Sequence, residues 1–132
     1  MDINKDTLKI LIIDDEETSL ELLEALLLRM GFKNVNTTDS CEEALRLTQE
    51  FQPDLFFIDI MMPEMSGDEF RGALKENPAT RDTPVIFISG IISRREEKEI
   101  DGRLASGDLI VAKPFTIDRI ARAIAASLQK AS

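Results

Sequence analysis

The chain contains no histidine, no tryptophan and no tyrosine, and only one cysteine. Without histidine there is no imidazole general base, no His-ligated metal and no role as a phosphohistidine carrier. Any bound metal is then expected to be a hard cation held by carboxylates. Cys41 has no second cysteine to pair with, so an internal disulfide is excluded; a reducing compartment, the cytoplasm, is expected. No apolar run reaches membrane-spanning length, and Met1-Asp2-Ile3-Asn4-Lys5-Asp6 lacks the basic-then-apolar pattern of a signal peptide. Positive charge is also scarce. Sixteen Lys and Arg stand against 25 Asp and Glu, a net charge of −9. That argues against direct binding to nucleic acid or an anionic membrane, which needs a basic face.

What is present is a chain of 132 residues, 43% hydrophobic and 31% charged, which suits one soluble domain with a proper core. Four apolar runs end on a residue capable of chemistry. Leu11-Ile12-Ile13 stops at Asp14-Asp15, Leu55-Phe56-Phe57-Ile58 at Asp59, Val85-Ile86-Phe87-Ile88 at Ser89, and Leu109-Ile110-Val111-Ala112 at Lys113. Such runs read as strands buried on both faces, which belong to parallel sheets covered by helices.

Between the strands the pattern is helical. Leu20, Leu23, Leu27 and Met30 recur at helical spacing and stop at Gly31. Ser40-Cys41-Glu42-Glu43 and Ser93-Arg94-Arg95-Glu96 have capping-box spacing. Phe70, Ala73 and Leu74 mark a third helix, and Ile117, Ile120, Ala121, Ile124 and Leu128 a last one. The helix expected over Arg94 to Arg103 is mostly charged, with only Ile100 and Leu104 as apolar contacts. Lys33 to Thr37 alternates polar with apolar, as an edge strand does. The order is β-α five times over, which predicts an α/β fold: a doubly wound, flavodoxin-like five-stranded parallel sheet of order 2-1-3-4-5. Sites in such sheets lie beyond the carboxyl ends of the strands, in the crevice between the first and third.

That crevice would gather Asp14, Asp15, Asp59, Ser89 and Lys113. Two close carboxylates repel by about 4 kcal/mol at intermediate dielectric, so three must protonate, spread apart or bind a cation. Three carboxylates less one ammonium leave two negative charges, which suits Mg²⁺ on a few carboxylates, waters and a phosphate oxygen. The backbone carbonyl of Met61 is a further candidate ligand. A phosphoryl group is the natural guest, with Asp59 as the nucleophile, Ser89 as a hydrogen-bond donor and Lys113 as a point charge.

These residues in this order resemble the receiver domains of response regulators, the chemotaxis Y-like family of two-component signalling. The matching elements are Asp14-Asp15, Asp59 with Met61-Met62-Pro63-Glu64-Met65-Ser66-Gly67, Ser89-Gly90 and Lys113-Pro114-Phe115. The likeness runs over essentially the whole chain. It implies a phosphorelay function. Asp59 is the phospho-acceptor, Asp14, Asp15 and Asp59 hold Mg²⁺ with the Met61 carbonyl, Ser89 is the switch hydroxyl, Lys113 pairs with the phosphoryl group, and Lys113–Pro114 is cis. The donor is a phosphohistidine on a histidine kinase or phosphotransfer protein, which the lack of histidine here matches. The product is a changed affinity for a downstream protein; a homodimer is also within the family's range. The chain is expected to be a signalling phosphoacceptor rather than an enzyme, a single domain over 1–132 (core about 8–130) with no output domain after the last helix.

The position three before Lys113, usually aromatic in the family, is Ile110 here. Signal is then expected to pass through the Ser89 to Ser93 loop or another surface. The charged fourth helix, Leu109 to Ala112 and the last helix form the expected partner face. Two rivals are weaker. An aspartyl-phosphate phosphohydrolase of the haloacid dehalogenase type needs a second Asp where Met61 stands. A phosphorylation-independent interaction domain has no use for an intact acidic pair, Asp59 and Lys113.

Overall fold

Period-2 alternation along each strand sends successive apolar side chains to opposite sheet faces, and helices cover both. The computed structural model describes residues 3–63, 65–99, 102–104 and 107–130. The elements run β1 (Lys9–Ile13), α1 (Glu17–Arg29), β2 (Asn34–Thr38), α2 (Cys41–Phe51), β3 (Leu55–Asp59), α3 (Gly67–Glu76), β4 (Val85–Ser89), α4 (Arg94–Glu99), β5 (Leu109–Ala112) and α5 (Ile117–Lys130). All pairings are parallel, and the sheet order is β2-β1-β3-β4-β5, as expected. No helix among the described residues is long and apolar enough to cross a membrane.

The two faces have separate cores. Ile10, Ile12, Phe57, Ile86, Ile88 and Val111 pack with Leu20, Leu23 and Leu27 of α1 and Ile120 and Ile124 of α5. Leu11, Ile13, Phe56, Ile58, Phe87 and Ile110 pack with Ala44 of α2 and Phe70 and Leu74 of α3. Phe56 and Phe70 meet edge to face, centroids 5.8 Å apart.

Local chemistry sets the helix ends. At Gly31 (φ 103°), the Phe32 N–H donates to Leu27 O and the Gly31 N–H to Leu28 O, a Schellman stop. The box at Ser93 is reciprocal: the Glu96 N–H donates to Ser93 Oγ and the Ser93 N–H to Glu96 Oε1. The box at Ser40 is only half made. The Ser40 side chain accepts from the Glu43 N–H, but its own N–H goes to Thr38 Oγ1. A further box opens α3, where Ser66 and Glu69 bond reciprocally.

Three expectations need correction. Helix α4 ends earlier than Arg103: Gly102 takes φ 68° and Arg103 pairs antiparallel with Leu109. Ile100 and Glu64 lie outside the described residues. The buried stripe of α5 is Ile120, Ala123, Ile124 and Ser127, whereas Ala121 is exposed and Ile117 is 39% exposed. Strand β2 runs Asn34–Thr38, one residue later at each end than the Lys33 to Thr37 expected.

Gly67 opens α3 and fixes the loop leaving β3. Its N–H donates to Ile60 O at 2.9 Å, and a Cβ there would lie 2.9 Å from the Ile60 Cα and 2.9 Å from the Phe87 ring. Gly67→Ala is expected to destabilise the fold by about 1–3 kcal/mol through overpacking, read by chemical denaturation. Gly72→Ala serves as the control, because its Cβ would meet nothing within 4 Å. Equal behaviour of the two variants would contradict this packing.

Candidate functional site

The carboxyl ends of β1, β3, β4 and β5 deliver Asp14, Asp59, Ser89 and Lys113 to one crevice, as the sequence pattern requires. Lys113 is the hub. Its Nζ lies 2.8 Å from Asp14 Oδ2, 3.2 Å from Asp59 Oδ2 and 3.3 Å from Glu16 Oε1. Asp14 is fully buried, Asp59 and Ser89 nearly so, and Asp15 is exposed at the rim. Carboxylate oxygens of Asp14, Asp15 and Asp59 all lie within 4.8 Å of one another, a spacing that can hold a metal ion.

Backbone amides orient these groups. The Glu16 N–H donates to Asp14 Oδ1, and the Met61 N–H donates to Asp59 Oδ1, both at 2.9 Å. Each carboxylate thereby has one oxygen tied down and the other turned toward Lys113. Asp14 Oδ2 touches Lys113 as an ion pair but makes no hydrogen bond of good geometry. A buried carboxylate oxygen left in that state is suited to a cation. Ser89 Oγ accepts from the Ile91 N–H at 3.1 Å, closing a turn. The oxygen is thus used structurally, while the hydroxyl hydrogen has no acceptor among the described residues.

Glu16 was not singled out in the sequence, although it directly follows the acidic pair. It shares Lys113 and accepts from the Ser19 hydroxyl. Three carboxylates therefore contact one ammonium, and with Asp15 at the rim the pocket holds four, one more than the charge count from sequence allowed. The Ser19 hydroxyl, and then Lys113, hold Glu16 below the ordinary carboxylate range. Burial acts to lower the Lys113 pKa, but Asp14 and Asp59 overcome it and raise the value.

The methionines divide. Met62 is buried and Met65 half-buried against the α2–α3 core, while Met61 is 61% exposed beside the site. Ile110 is 2% exposed and locked in the same core. Cys41 is buried there too, as a packing residue.

Fold and pocket together define a receiver of the two-component type. The chain matches the response regulator receiver domain over residues 10–125 and belongs to that family. Among its relatives, protein PilG of Pseudomonas aeruginosa is 32% identical over 129 residues, covering 96% of this chain and 91% of PilG. The polar-differentiation response regulator DivK of Brucella ovis is 30% identical over 118 residues, 89% of this chain and 94% of DivK. A response regulator from Desulfuromonas acetoxidans has a similar structure, with TM-score 0.75 at 28% identity over 92% of this chain and 97% of its own. Chemotaxis protein CheY4 of Vibrio cholerae gives TM-score 0.75 at 25% identity, over 91% and 98%.

Burial pushes the Asp14 carboxyl from its ordinary 3.8 up to about 6; Lys113 and the Glu16 amide pull it back, and Asp59 adds to the rise. An acid raised in this way favours the folded state fully below pH 3.8 and loses that contribution as pH climbs through about 6. The loss is on the order of 3 kcal/mol. Asp14→Asn is expected to remove this slope from metal-free protein, leaving the variant more stable than the parent at pH 7. Denaturation curves between pH 4 and 8 measure it, and a parent with no such slope would contradict the burial of a charged Asp14.

Proposed function

We propose that the chain is the phosphoacceptor of a phosphorelay, acting as one receiver unit and signalling by changed affinity for a downstream protein. The observation that carries this reading is the sharing of one half-buried ammonium by Asp14 and Asp59, beside the exposed Asp15. A purely structural pocket gains nothing from crowding carboxylates that repel one another.

Asp14, Asp15 and Asp59 are the side chains that hold Mg²⁺, with the Met61 carbonyl as a further ligand. Asp14 Oδ2, which has Lys113 as its ion-pair partner but no hydrogen bond of good geometry, and the excess negative charge fit it. Bound there, Mg²⁺ neutralises charge on the phosphoryl oxygens during transfer. The protein's own residues do the rest. Asp59 Oδ2 attacks phosphorus as the P–N bond to the donor imidazole breaks, and the bonding pair leaves with the imidazole nitrogen. Lys113 then exchanges its contact with Asp59 for one with a phosphoryl oxygen, and the Ser89 hydroxyl donates to another. The histidine comes from a kinase or phosphotransfer protein, since this chain has none.

The lack of a second carboxyl two residues after Asp59, where exposed Met61 stands, supports a phosphoacceptor over a phosphohydrolase of small substrates. The α4–β5–α5 side is the proposed partner face, and the cytoplasm the proposed location.

Incubation with acetyl phosphate and Mg²⁺ is expected to add one phosphoryl group to the native chain and none to Asp59→Asn, read by intact mass. Lys113→Ala is expected to slow the addition by 10²-fold or more, in the range for loss of one charge-stabilising donor. Modification of Asp59→Asn to the same extent, or an inert native chain, would contradict the assignment.

A further inference from the structure

Strand β5 lies at the sheet edge, so its outward N–H and C=O groups need partners from outside the sheet. The Ile110 N–H donates to Gly102 O at 2.8 Å. One step along the strand a side chain takes over: the Ala112 N–H donates to Glu97 Oε1 of α4 at 2.6 Å. Arg119 of α5 completes the arrangement. Its Nη2 donates to the Ala112 carbonyl at 2.7 Å and its Nη1 to the Pro114 carbonyl at 2.8 Å. The same guanidinium pairs with Glu97 through Nη2 at 2.6 Å and Nε at 3.2 Å.

Arg119 thus grips the carbonyls on either side of Lys113, and Glu97 grips both Arg119 and the amide just before Lys113. From the inner side, the Lys113 N–H donates to Ser89 O at 2.8 Å. Both ion-pair partners are 17% exposed, and a planar guanidinium matches two carbonyls and a carboxylate in fixed directions. A lysine ammonium sits on a flexible stem, so where it rests depends on how firmly its backbone is held. Ile110 is locked in the core and no tyrosine exists in the chain. A swinging ring at that position is therefore unavailable to link the pocket with α4 and α5.

We infer that Glu97 and Arg119 are positioning residues for Lys113, and that this bracket is the mechanical link between the acidic pocket and helices α4 and α5. The inference rests on the phosphoacceptor reading for its consequence in transfer, but not for its geometry. Three quantities test it in the full chain: the Lys113 ¹⁵Nζ resonance in metal-free protein, the rate of phosphorylation by acetyl phosphate at saturating Mg²⁺, and Mg²⁺ affinity by calorimetry. In Arg119→Ala and Glu97→Ala the Lys113 resonance is expected to shift while that of Lys33 does not. The rate is expected to fall about tenfold, as for a displaced positioning group, with Mg²⁺ affinity within about twofold of the parent because its carboxylates are untouched. Arg119→Lys, which keeps the charge but not the fork, should fall between. Glu97→Gln keeps an acceptor for the Ala112 N–H and serves if the alanine variant does not fold, with a shift of the same sign.

An unmoved Lys113 resonance would overturn the inference, even in a chain that is phosphorylated normally. So would a parallel loss of rate and Mg²⁺ affinity, which marks general loosening. A parent chain that stays unphosphorylated while the variants still move the Lys113 resonance would overturn the phosphoacceptor reading and leave the positioning role standing.

Discussion

One ammonium shared by three carboxylates, with a fourth at the rim, is the constraint on which the rest of the structure turns. Two carboxylates at contact distance oppose each other by about 4 kcal/mol even at intermediate dielectric. Asp14 is wholly buried; its pKa is raised chiefly by that burial, and the neighbouring Asp59 adds to the rise. Lys113 offsets part of the repulsion, and Asp14, Asp15 and Asp59 keep a spacing that can hold a metal ion.

The scaffold around that pocket is built to keep the carboxylates from spreading apart. Each comes from the tip of a strand whose other residues are buried on both faces, and backbone amides tie one oxygen of Asp14 and one of Asp59. The Ser66–Glu69 box and the Gly67 contact with Ile60 hold the loop beyond Asp59 in place. On the Lys113 side the support is polar rather than apolar. It comes from Arg119 and Glu97, and this is where a short, charged α4 gains its attachment to the sheet. Movement of Lys113 toward a new anion would be felt first along that polar connection.

The sheet order and the meeting of Asp14, Asp15, Asp59, Ser89 and Lys113 were legible because long-range topology follows from few rules. Buried apolar runs alternating with helices, with the polar second strand placed at an edge, fit the order 2-1-3-4-5, and strand tips then fall on one edge. Side-chain partnership follows no such rule. Glu16 stands next to the acidic pair, yet nothing in sequence tells which exposed carboxylate reaches a lysine 97 residues away. Glu97 and Arg119 looked like ordinary surface charges on amphipathic helices; their roles depend on the edge of β5 needing hydrogen bonds. The end of α4 and the stripe of α5 were misplaced for local reasons. Gly102 adopts a positive φ inside a helix-compatible run, and Ala123 and Ser127, small residues with weak apolar signal, take the buried face instead of Ala121.

The central claim, that carboxylate crowding leaves this pocket in need of a divalent cation, is tested most directly by unfolding the native chain in denaturant at pH 7. Mg²⁺ is compared with NaCl at equal ionic strength. Binding to the folded state alone predicts stabilisation that grows with Mg²⁺ as RT ln(1 + [Mg²⁺]/Kd), about 2.7 kcal/mol at a hundredfold excess over Kd. Identical unfolding curves in the two salts would show that the carboxylates are satisfied without a metal, and would contradict the account.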